Sequence, residues 1–286
     1  GAKERIAPSC SRRASSGTGT RRVWAVNPSA NVTHSESVIA DDSPFDLRPK
    51  AGSETGAAAL CLHGLTGTPY ELRSVAESLV ARGIRARGIW MAGHGGSTDE
   101  LRQSTREEWV EHARSELLGL REQYSRVFLV GVSMGGLVSL RLAETSPVDG
   151  LVVVGVPLVL APPIPQILPL IRLFASGRQK RGADIREPAA RARHPGAPVM
   201  PFDSVRELIA LQKETIPDLS KVSAPILVAH GELDRTARPR DAHRIHAEVG
   251  SQEKELFLLA RSGHVATVDY DGPALARAAA DFLARR

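Results

Sequence analysis

Hydrophobic residues along the chain fall into short continuous runs that alternate with segments of helical periodicity. Continuous runs of this length are typical of strands that are buried on both faces of a parallel sheet. The runs predicted as strands are 57–62, 84–89, 127–131, 151–156, 226–229 and 256–259, with a shorter alternating candidate at 44–47. The alternation predicts an α/β fold in which right-handed crossovers place helices on both faces of a central sheet.

Amphipathic segments separate most of these strands. In segment 69–81 apolar side chains recur at the spacing of one helix face, and Thr68 is the predicted N-cap. Segment 105–123 begins with Thr105 followed three residues later by Glu108, which is the spacing of a capping box. The predicted helices are 69–81, 105–123, 134–144, 239–249 and 273–284.

One connection is much longer than the others. Residues 157–224 separate two predicted strands, whereas a parallel crossover needs only about a dozen residues. Its first part, 158–200, is apolar and rich in proline. We predict a small cap over the carboxyl edge of the sheet, where open α/β sheets bind ligands; the alternative is a surface insertion without function.

Residues 1–42 are rich in Ser, Arg, Gly and Thr and show no periodicity, which predicts a disordered or extended basic tail before a folded domain at 43–286. The net charge of +5 arises within residues 1–22, so residues 23–286 sum to zero. This distribution argues against nucleic-acid binding by the folded part, which would need a basic face. The tail itself could instead bind anionic lipid or a partner.

The chain has no run of 18 apolar residues, so no membrane-spanning helix is predicted. Its two cysteines, Cys10 and Cys61, do not make a disulfide framework, and Cys61 is expected to be a buried thiol. Together with the lack of an apolar leader, they predict a reducing, cytoplasmic location. The sequence leaves the oligomeric state open.

The strongest chemical signal is the segment 131–136, Gly-Val-Ser-Met-Gly-Gly, between a predicted strand and a predicted helix. A serine on such a strand–turn–helix junction projects its hydroxyl at the sheet edge, and small neighbours let the strand and helix approach each other. The helix N-terminus beside it favours developing negative charge. Ser133 is therefore the candidate nucleophile, and a simple glycine-rich turn is the alternative.

A serine hydroxyl needs a base, and the base needs an orienting carboxylate. His264 follows the last predicted strand and is the candidate base, and Asp234 follows the preceding strand and is the candidate acid. The competing residues are Glu232, Asp241 and Asp269 for the acid, and His230, His243 and His246 for the base.

Backbone N–H donors must face the oxyanion of a tetrahedral intermediate. The segment 63–67, His-Gly-Leu-Thr-Gly, follows the first long strand, and its glycines allow a tight curl. We expect the amides of Leu65 and Met134 to be the donors. His63 is interpreted as structural, with a catalytic role as the alternative.

These segments, together with Gly-His-Gly at 93–95 and His-Gly-Glu-Leu-Asp at 230–234, resemble those of α/β-hydrolases, specifically bacterial carboxylesterases and monoacylglycerol lipases, over 43–286. The resemblance implies a triad of Ser133, Asp234 and His264, an oxyanion hole formed by the Leu65 and Met134 amides, and a short cap that lines an acyl pocket. The residues expected to contact substrate are Gly64, His94, Val156, Ile167, Ile171 and Val265.

The resulting expectation is a hydrolase of short to medium carboxylic esters that works through an acyl-enzyme, with monoacylglycerol as a natural substrate. Peptidase, thioesterase, lactonase and carbon–carbon hydrolase activities use the same groups and stay open, as does a non-catalytic binding protein. No metal or cofactor is expected, because the nine histidines form no spaced ligand set and no phosphate-binding glycine motif follows a strand.

Overall fold

The hydrophobic runs form a seven-stranded sheet in the computed structural model, which describes residues 39–286. The described residues contain two further strands outside this sheet. In chain order the strands are β1 (Phe45–Leu47), β2 (Ala57–Leu62), β3 (Ile84–Ile89), β4 (Arg126–Val132), β5 (Gly150–Val154), β6 (Gly177–Gln179), β7 (Val199–Pro201), β8 (Ile226–Gly231) and β9 (Lys254–Leu259). The sheet has the order β1-β3-β2-β4-β5-β8-β9 and is parallel except for β1, which runs antiparallel to β3. Strands β6 and β7 form a separate antiparallel pair. The predicted α/β fold is confirmed.

Helices cover both faces of this sheet. They are α1 (Tyr70–Val80), α2 (Thr98–Gln103), α3 (Arg106–Arg121), α4 (Met134–Ala143), α5 (Ile164–Ile171), α6 (Pro188–Arg193), α7 (Phe202–Thr215), α8 (Pro239–Glu248) and α9 (Gly272–Ala284), with 3-10 turns at Ile216–Lys221 and Ala266–Val268. None of the helices within residues 39–286 is long and apolar enough to cross a bilayer.

The alternation of side chains along the strands builds two apolar layers. Leu60 of β2 packs with Trp109 of α3 in the layer that also contains α4, α7 and α8. Its neighbour Cys61 points to the opposite layer, where Phe282 of α9 and residues of α1 cover the sheet. Cys61 is thus the buried thiol that was expected, and burial raises its pKa to about 12.

The helix starts show one prediction confirmed and one that is wrong. The Thr105 hydroxyl accepts from the Glu108 amide and the Glu108 carboxylate accepts from the Thr105 amide, which is the predicted capping box. At α1, however, Pro69 occupies the N-cap position and the hydroxyl of Thr68 makes no hydrogen bond within the described residues. Helix α2 was not predicted, although Ser97 and the carboxylate three residues later form a second capping box.

The long connection between β5 and β8 contains α5, β6, α6, β7 and α7. Its residues 158–200, called the insertion below, contact loops at the carboxyl edge of the sheet. The Val265 amide, after β9, donates to the carbonyl of Asp184 at 3.3 Å. Helix α7 packs against α4 and α2 instead. Residues 1–38 of the tail predicted at 1–42 lie outside the described residues. In the remaining part of that segment, the Ala40 amide donates to the carbonyl of Arg193 at 3.0 Å.

Candidate active site

The turn between β4 and α4 holds Ser133 in a strained conformation, with φ of 53° and ψ of −116°. The flanking glycines permit this turn. A Cβ on Gly135 would lie 2.0 Å from the carbonyl oxygen of Leu62, and a Cβ on Gly131 would lie 2.4 Å from that of Gly135. The Ser133 amide donates to the carbonyl of Val154 at 2.8 Å. Strands β2, β4 and β5 therefore fix the serine at the carboxyl edge of the sheet.

Three side chains from three loops form a continuous hydrogen-bonded chain at this edge. The Ser133 hydroxyl donates to Nε2 of His264 at 2.8 Å, and Nδ1–H of His264 donates to Oδ2 of Asp234 at 2.8 Å. Ser133 and His264 are each only 8% exposed. The arrangement can remove a proton from the serine hydroxyl and stabilise the imidazolium that results.

The loop after β8 fixes the carboxylate of Asp234. Its Oδ1 accepts from the amides of Thr236 at 2.7 Å and Ala237 at 2.8 Å. Its Oδ2 lies 3.0 Å from Nε2 of His230 in addition to its bond with His264. The carboxylate is completely buried and can rotate only by breaking several of these bonds.

The ionisation of the pair follows from these contacts. Burial alone would raise the pKa of Asp234, but the imidazoles of His264 and His230 outweigh it and hold that pKa below its usual range. Burial alone would lower the pKa of His264, but the Asp234 charge and hydrogen bond outweigh it and leave that pKa above its ordinary value. Asp234 is therefore an anion at neutral pH.

The competing acids are engaged elsewhere. Asp241 accepts from the amide of Leu158 at 3.0 Å, and Asp269 accepts from the amide of Gly263 at 2.8 Å. The Glu232 residue is exposed to solvent. The carboxylates of Asp241 and Asp269 are buried and stabilise loops at the same edge of the sheet, so they also follow strands in the sequence as Asp234 does.

The competing bases on α8 do not reach the serine. His243 is exposed, and Nε2 of His246 lies 3.4 Å from the carbonyl oxygen of Lys254. Neither ring is bonded to Ser133, whose hydroxyl donates to His264.

The β2–α1 loop, residues 63–69, lies directly against the serine. A Cβ on Gly64 would lie 3.2 Å from the Cβ of Ser133. The loop curls because the Gly67 amide donates to the carbonyl of Gly64 at 2.9 Å. Within residues 39–286 the amides of Leu65 and Met134 donate to no other protein group. Both expected oxyanion donors are thus open.

Two histidines, His63 and His94, pack against each other and hold this loop by hydrogen bonds. His63 is fully buried; its Nδ1 donates to the next carbonyl and its Nε2 accepts from the Met91 amide at 3.1 Å. His94 donates from Nδ1 to the carbonyl of Ala92 at 3.0 Å and accepts from the Thr66 amide at 3.4 Å. Burial lowers the pKa of His94 to about 3, so the ring is neutral. The structure places His94 against the loop that adjoins the serine.

The other residues expected to contact substrate lie in different surroundings. Val156 is buried beside the first turn of α4, and Val265 packs against Ile185 of the insertion. Ile171 is partly buried, whereas Ile167 is 40% exposed on the outer side of α5. Apart from Gln166, helix α5 is apolar, so the sequence gave little indication of which face turns inward; the buried side chain is Leu168.

Two contacts at the site could not be predicted from the sequence. Glu71, in the first turn of α1, accepts a hydrogen bond from the Gly64 amide, and Lys180 of the insertion donates to the Thr66 hydroxyl. Acidic residues are common in the first turn of a helix because the helix dipole stabilises their negative charge. The residue type of Glu71 therefore gave no reason to assign it to the site. Lys180 lies between Arg178 and Arg181, and a basic segment of this kind is usually exposed to solvent.

A largely parallel sheet with a strained serine turn after its central strand defines the α/β-hydrolase class. Residues 53–271 match the family described as serine aminopeptidase, S33 (Hydrolase_4), and the chain belongs to this family. The predicted class of serine hydrolase is confirmed at the level of the family.

Two relatives of this chain carry the names of ester hydrolases. It is 30% identical over 232 residues to a thermostable monoacylglycerol lipase of Bacillus sp. (strain H-257), covering 79% of this chain and 90% of the relative. It is 26% identical over 230 residues to a carboxylesterase of Bacillus subtilis (strain 168), covering 79% and 92%. A solved structure from the metagenome-derived lipolytic enzymes LipS and LipT is 25% identical, has a TM-score of 0.79, and matches over 87% of this chain and 100% of its own.

Proposed function

We propose that this chain hydrolyses short- to medium-chain carboxylic esters, monoacylglycerols among them, through an acyl-enzyme on Ser133. The observation that carries the proposal is the buried hydrogen-bonded chain from Ser133 through His264 to Asp234. The monoacylglycerol lipase and carboxylesterase relatives support the ester as the substrate class.

In the acylation half-reaction, the ester reacts with Ser133 while His264 and Asp234 handle the proton. The Ser133 oxygen attacks the ester carbonyl carbon while Nε2 of His264 takes the hydroxyl proton. The carbonyl oxygen becomes an oxyanion, for which the open amides of Leu65 and Met134 are the donors. Asp234 holds Nδ1–H and stabilises the imidazolium. When the tetrahedral intermediate collapses, Nε2–H protonates the leaving alcohol and the acyl group stays on the serine.

Deacylation repeats the sequence with water. The neutral imidazole of His264 takes a proton from water as it attacks the acyl carbon, and the same two amides receive the second oxyanion. Collapse breaks the bond to the serine oxygen, which regains its proton from His264. The products are a carboxylic acid and the free enzyme.

The family description also names an aminopeptidase activity, which would require an anionic group for the substrate α-ammonium. Two carboxylates close to Ser133 and its loop, those of Asp234 and Glu71, are already bonded. Asp234 accepts from His264 and two amides, and Glu71 accepts from Gly64 and His194. Their engagement favours the ester over the aminoacyl substrate.

A substrate panel tests the proposal. We expect turnover of p-nitrophenyl butyrate and of C8–C12 monoacylglycerols, a decline at C16 and longer, and no turnover of alanine p-nitroanilide. The Ser133→Ala variant is the control for contaminating esterases. Preferential cleavage of the anilide, or turnover retained in the control variant, would refute the proposal.

A further inference from the structure

Glu71 places a charged carboxylate beneath the β2–α1 loop. It is 3% exposed, and each of its oxygens has a partner: Oε2 accepts from the Gly64 amide at 2.9 Å, and Oε1 accepts from Nε2 of His194 at 3.0 Å. Burial alone would raise its pKa, but the bonds and charges around it, His194 foremost, lower it to about 2. A buried carboxylate of this kind is stable only while these partners stay in place.

His194 reaches this carboxylate from the insertion, 123 residues further along the chain. Its side chain is 4% exposed. The Gly196 amide donates to Nδ1 at 3.2 Å, so Nδ1 is an acceptor and the proton resides on Nε2. Nε2–H of His194 therefore donates to Oε1 of Glu71.

The loop backbone rests on the same carboxylate. A Cβ on Gly67 would lie 2.3 Å from Oε1 of Glu71, so the backbone there passes directly over the carboxylate. Gly64 lies against Ser133, and its amide donates to Oε2 of Glu71. This bond fixes the peptide between residues 63 and 64. The next peptide carries the Leu65 amide, and its carbonyl oxygen, that of Gly64, accepts from the Gly67 amide at 2.9 Å and lies 2.9 Å from Nδ1 of His63. Glu71 and these two groups together hold the loop backbone on both sides of Gly64.

The insertion also holds the loop one residue further on. Nζ of Lys180 donates to the Thr66 hydroxyl at 2.7 Å, and the Ala197 amide donates to the Thr66 carbonyl at 2.9 Å. Thr66 has a positive φ of 60°, which is uncommon for a β-branched residue and requires support from its surroundings.

We propose that Glu71 and His194 are positioning residues, which aim the Leu65 amide at the oxyanion and complete this donor only when the insertion is docked. The inference rests on the proposed function, because it takes Leu65 as an oxyanion donor. Both act through the backbone of the β2–α1 loop, which Glu71 contacts at Gly64 and which His194 reaches only through Glu71.

Four variants test the inference: Glu71→Gln removes the charge, His194→Ala removes the donor, His194→Gln supplies an amide donor instead, and Arg181→Gln is an exposed control on the insertion. Each is assayed for kcat and KM with p-nitrophenyl butyrate. Each is also assayed for the rate at which diethyl p-nitrophenyl phosphate phosphorylates Ser133, a step that releases p-nitrophenolate and transfers the hydroxyl proton to His264.

We expect Glu71→Gln and His194→Ala to lower kcat and the phosphorylation rate by about 10- to 100-fold, the size of effect that a misplaced donor produces. KM should change by less than about threefold. His194→Gln should recover most of the loss, and Arg181→Gln should match the parent. The pH midpoint of His194→Ala should stay at the parental value, because the bond between His264 and Asp234 is untouched.

Parental rates in folded Glu71→Gln and His194→Ala would overturn the inference, as would a loss confined to KM or equal losses in both His194 variants. If Glu71→Gln does not fold, the His194 pair decides alone. Failure of the parent chain to be phosphorylated at Ser133 would refute the proposed function itself, which separates the two ideas.

Discussion

Nε2 of His230 lies 3.0 Å from Oδ2 of Asp234, the same oxygen that accepts from His264. One carboxylate oxygen therefore serves two imidazoles. His230 is fully buried, and its Nδ1 bonds to no group within the described residues. Its contact with Asp234 stabilises the anion and thereby weakens the attraction of that anion for His264.

Replacing this second imidazole should shift the pH profile upward. In His230→Phe, Asp234 loses one donor, so its charge acts more fully on His264 and raises the pKa of that base. We expect the midpoint of kcat/KM to move to higher pH and kcat to fall by less than about tenfold, since one hydrogen bond contributes about 1 kcal/mol. His230→Gln, which retains a donor, should give a smaller shift. A downward shift in His230→Phe would contradict this account.

Removing the nucleophile should abolish turnover without unfolding the chain. For Ser133→Ala we expect kcat to fall by roughly 10⁶-fold, as in serine hydrolases where the nucleophile acts as part of one unit. Alanine meets the same positive φ that serine already adopts, so the melting temperature should stay within a few degrees. Steady-state assays with p-nitrophenyl butyrate and thermal melts followed by circular dichroism measure both quantities.

The rate should rise with pH as His264 loses its proton. The protonated ring cannot accept from Ser133, so activity is lost as pH falls through the pKa of His264. Because the Asp234 charge raises that pKa, we expect the midpoint of kcat/KM above the value of about 6.5 for a free imidazole. A rate independent of pH between 5 and 9 would exclude a histidine base.

Two glycine substitutions should have opposite effects on stability. In Gly135→Ala the new methyl would lie 2.0 Å from a β2 carbonyl, so the strand or helix must shift, and we expect a loss of about 1–3 kcal/mol in the free energy of unfolding. In Gly119→Ala, within α3, nothing lies within 4 Å, and we expect a gain of about 0.5–1 kcal/mol. Urea unfolding curves of both variants decide the comparison.

The sheet and the relative placement of the three key loops followed from local sequence. Buried strands are continuous apolar runs, and each of Ser133, Asp234 and His264 comes directly after one of them. Because parallel strands end at one edge, loops distant in sequence had to meet there. Strand β5 ends at Val154, two residues earlier than predicted, because Gly155 turns away with φ of 59°.

The insertion could not be predicted in the same detail. Its prolines and short helices carry no clear period, and its position depends on polar contacts between residues far apart in the chain. Glu71 and His194 are 123 residues apart, and each alone looks like an ordinary surface residue. Such a pair becomes visible only when the chain is folded.

The bond between Glu71 and His194 also bears on enzyme engineering. Exchanging the insertion for that of a relative also removes the imidazole that donates a hydrogen bond to the buried carboxylate of Glu71. A chimera will need a hydrogen-bond donor at the position of His194, or a neutral residue in place of Glu71. Otherwise a change in its substrate specificity cannot be told apart from damage to the β2–α1 loop.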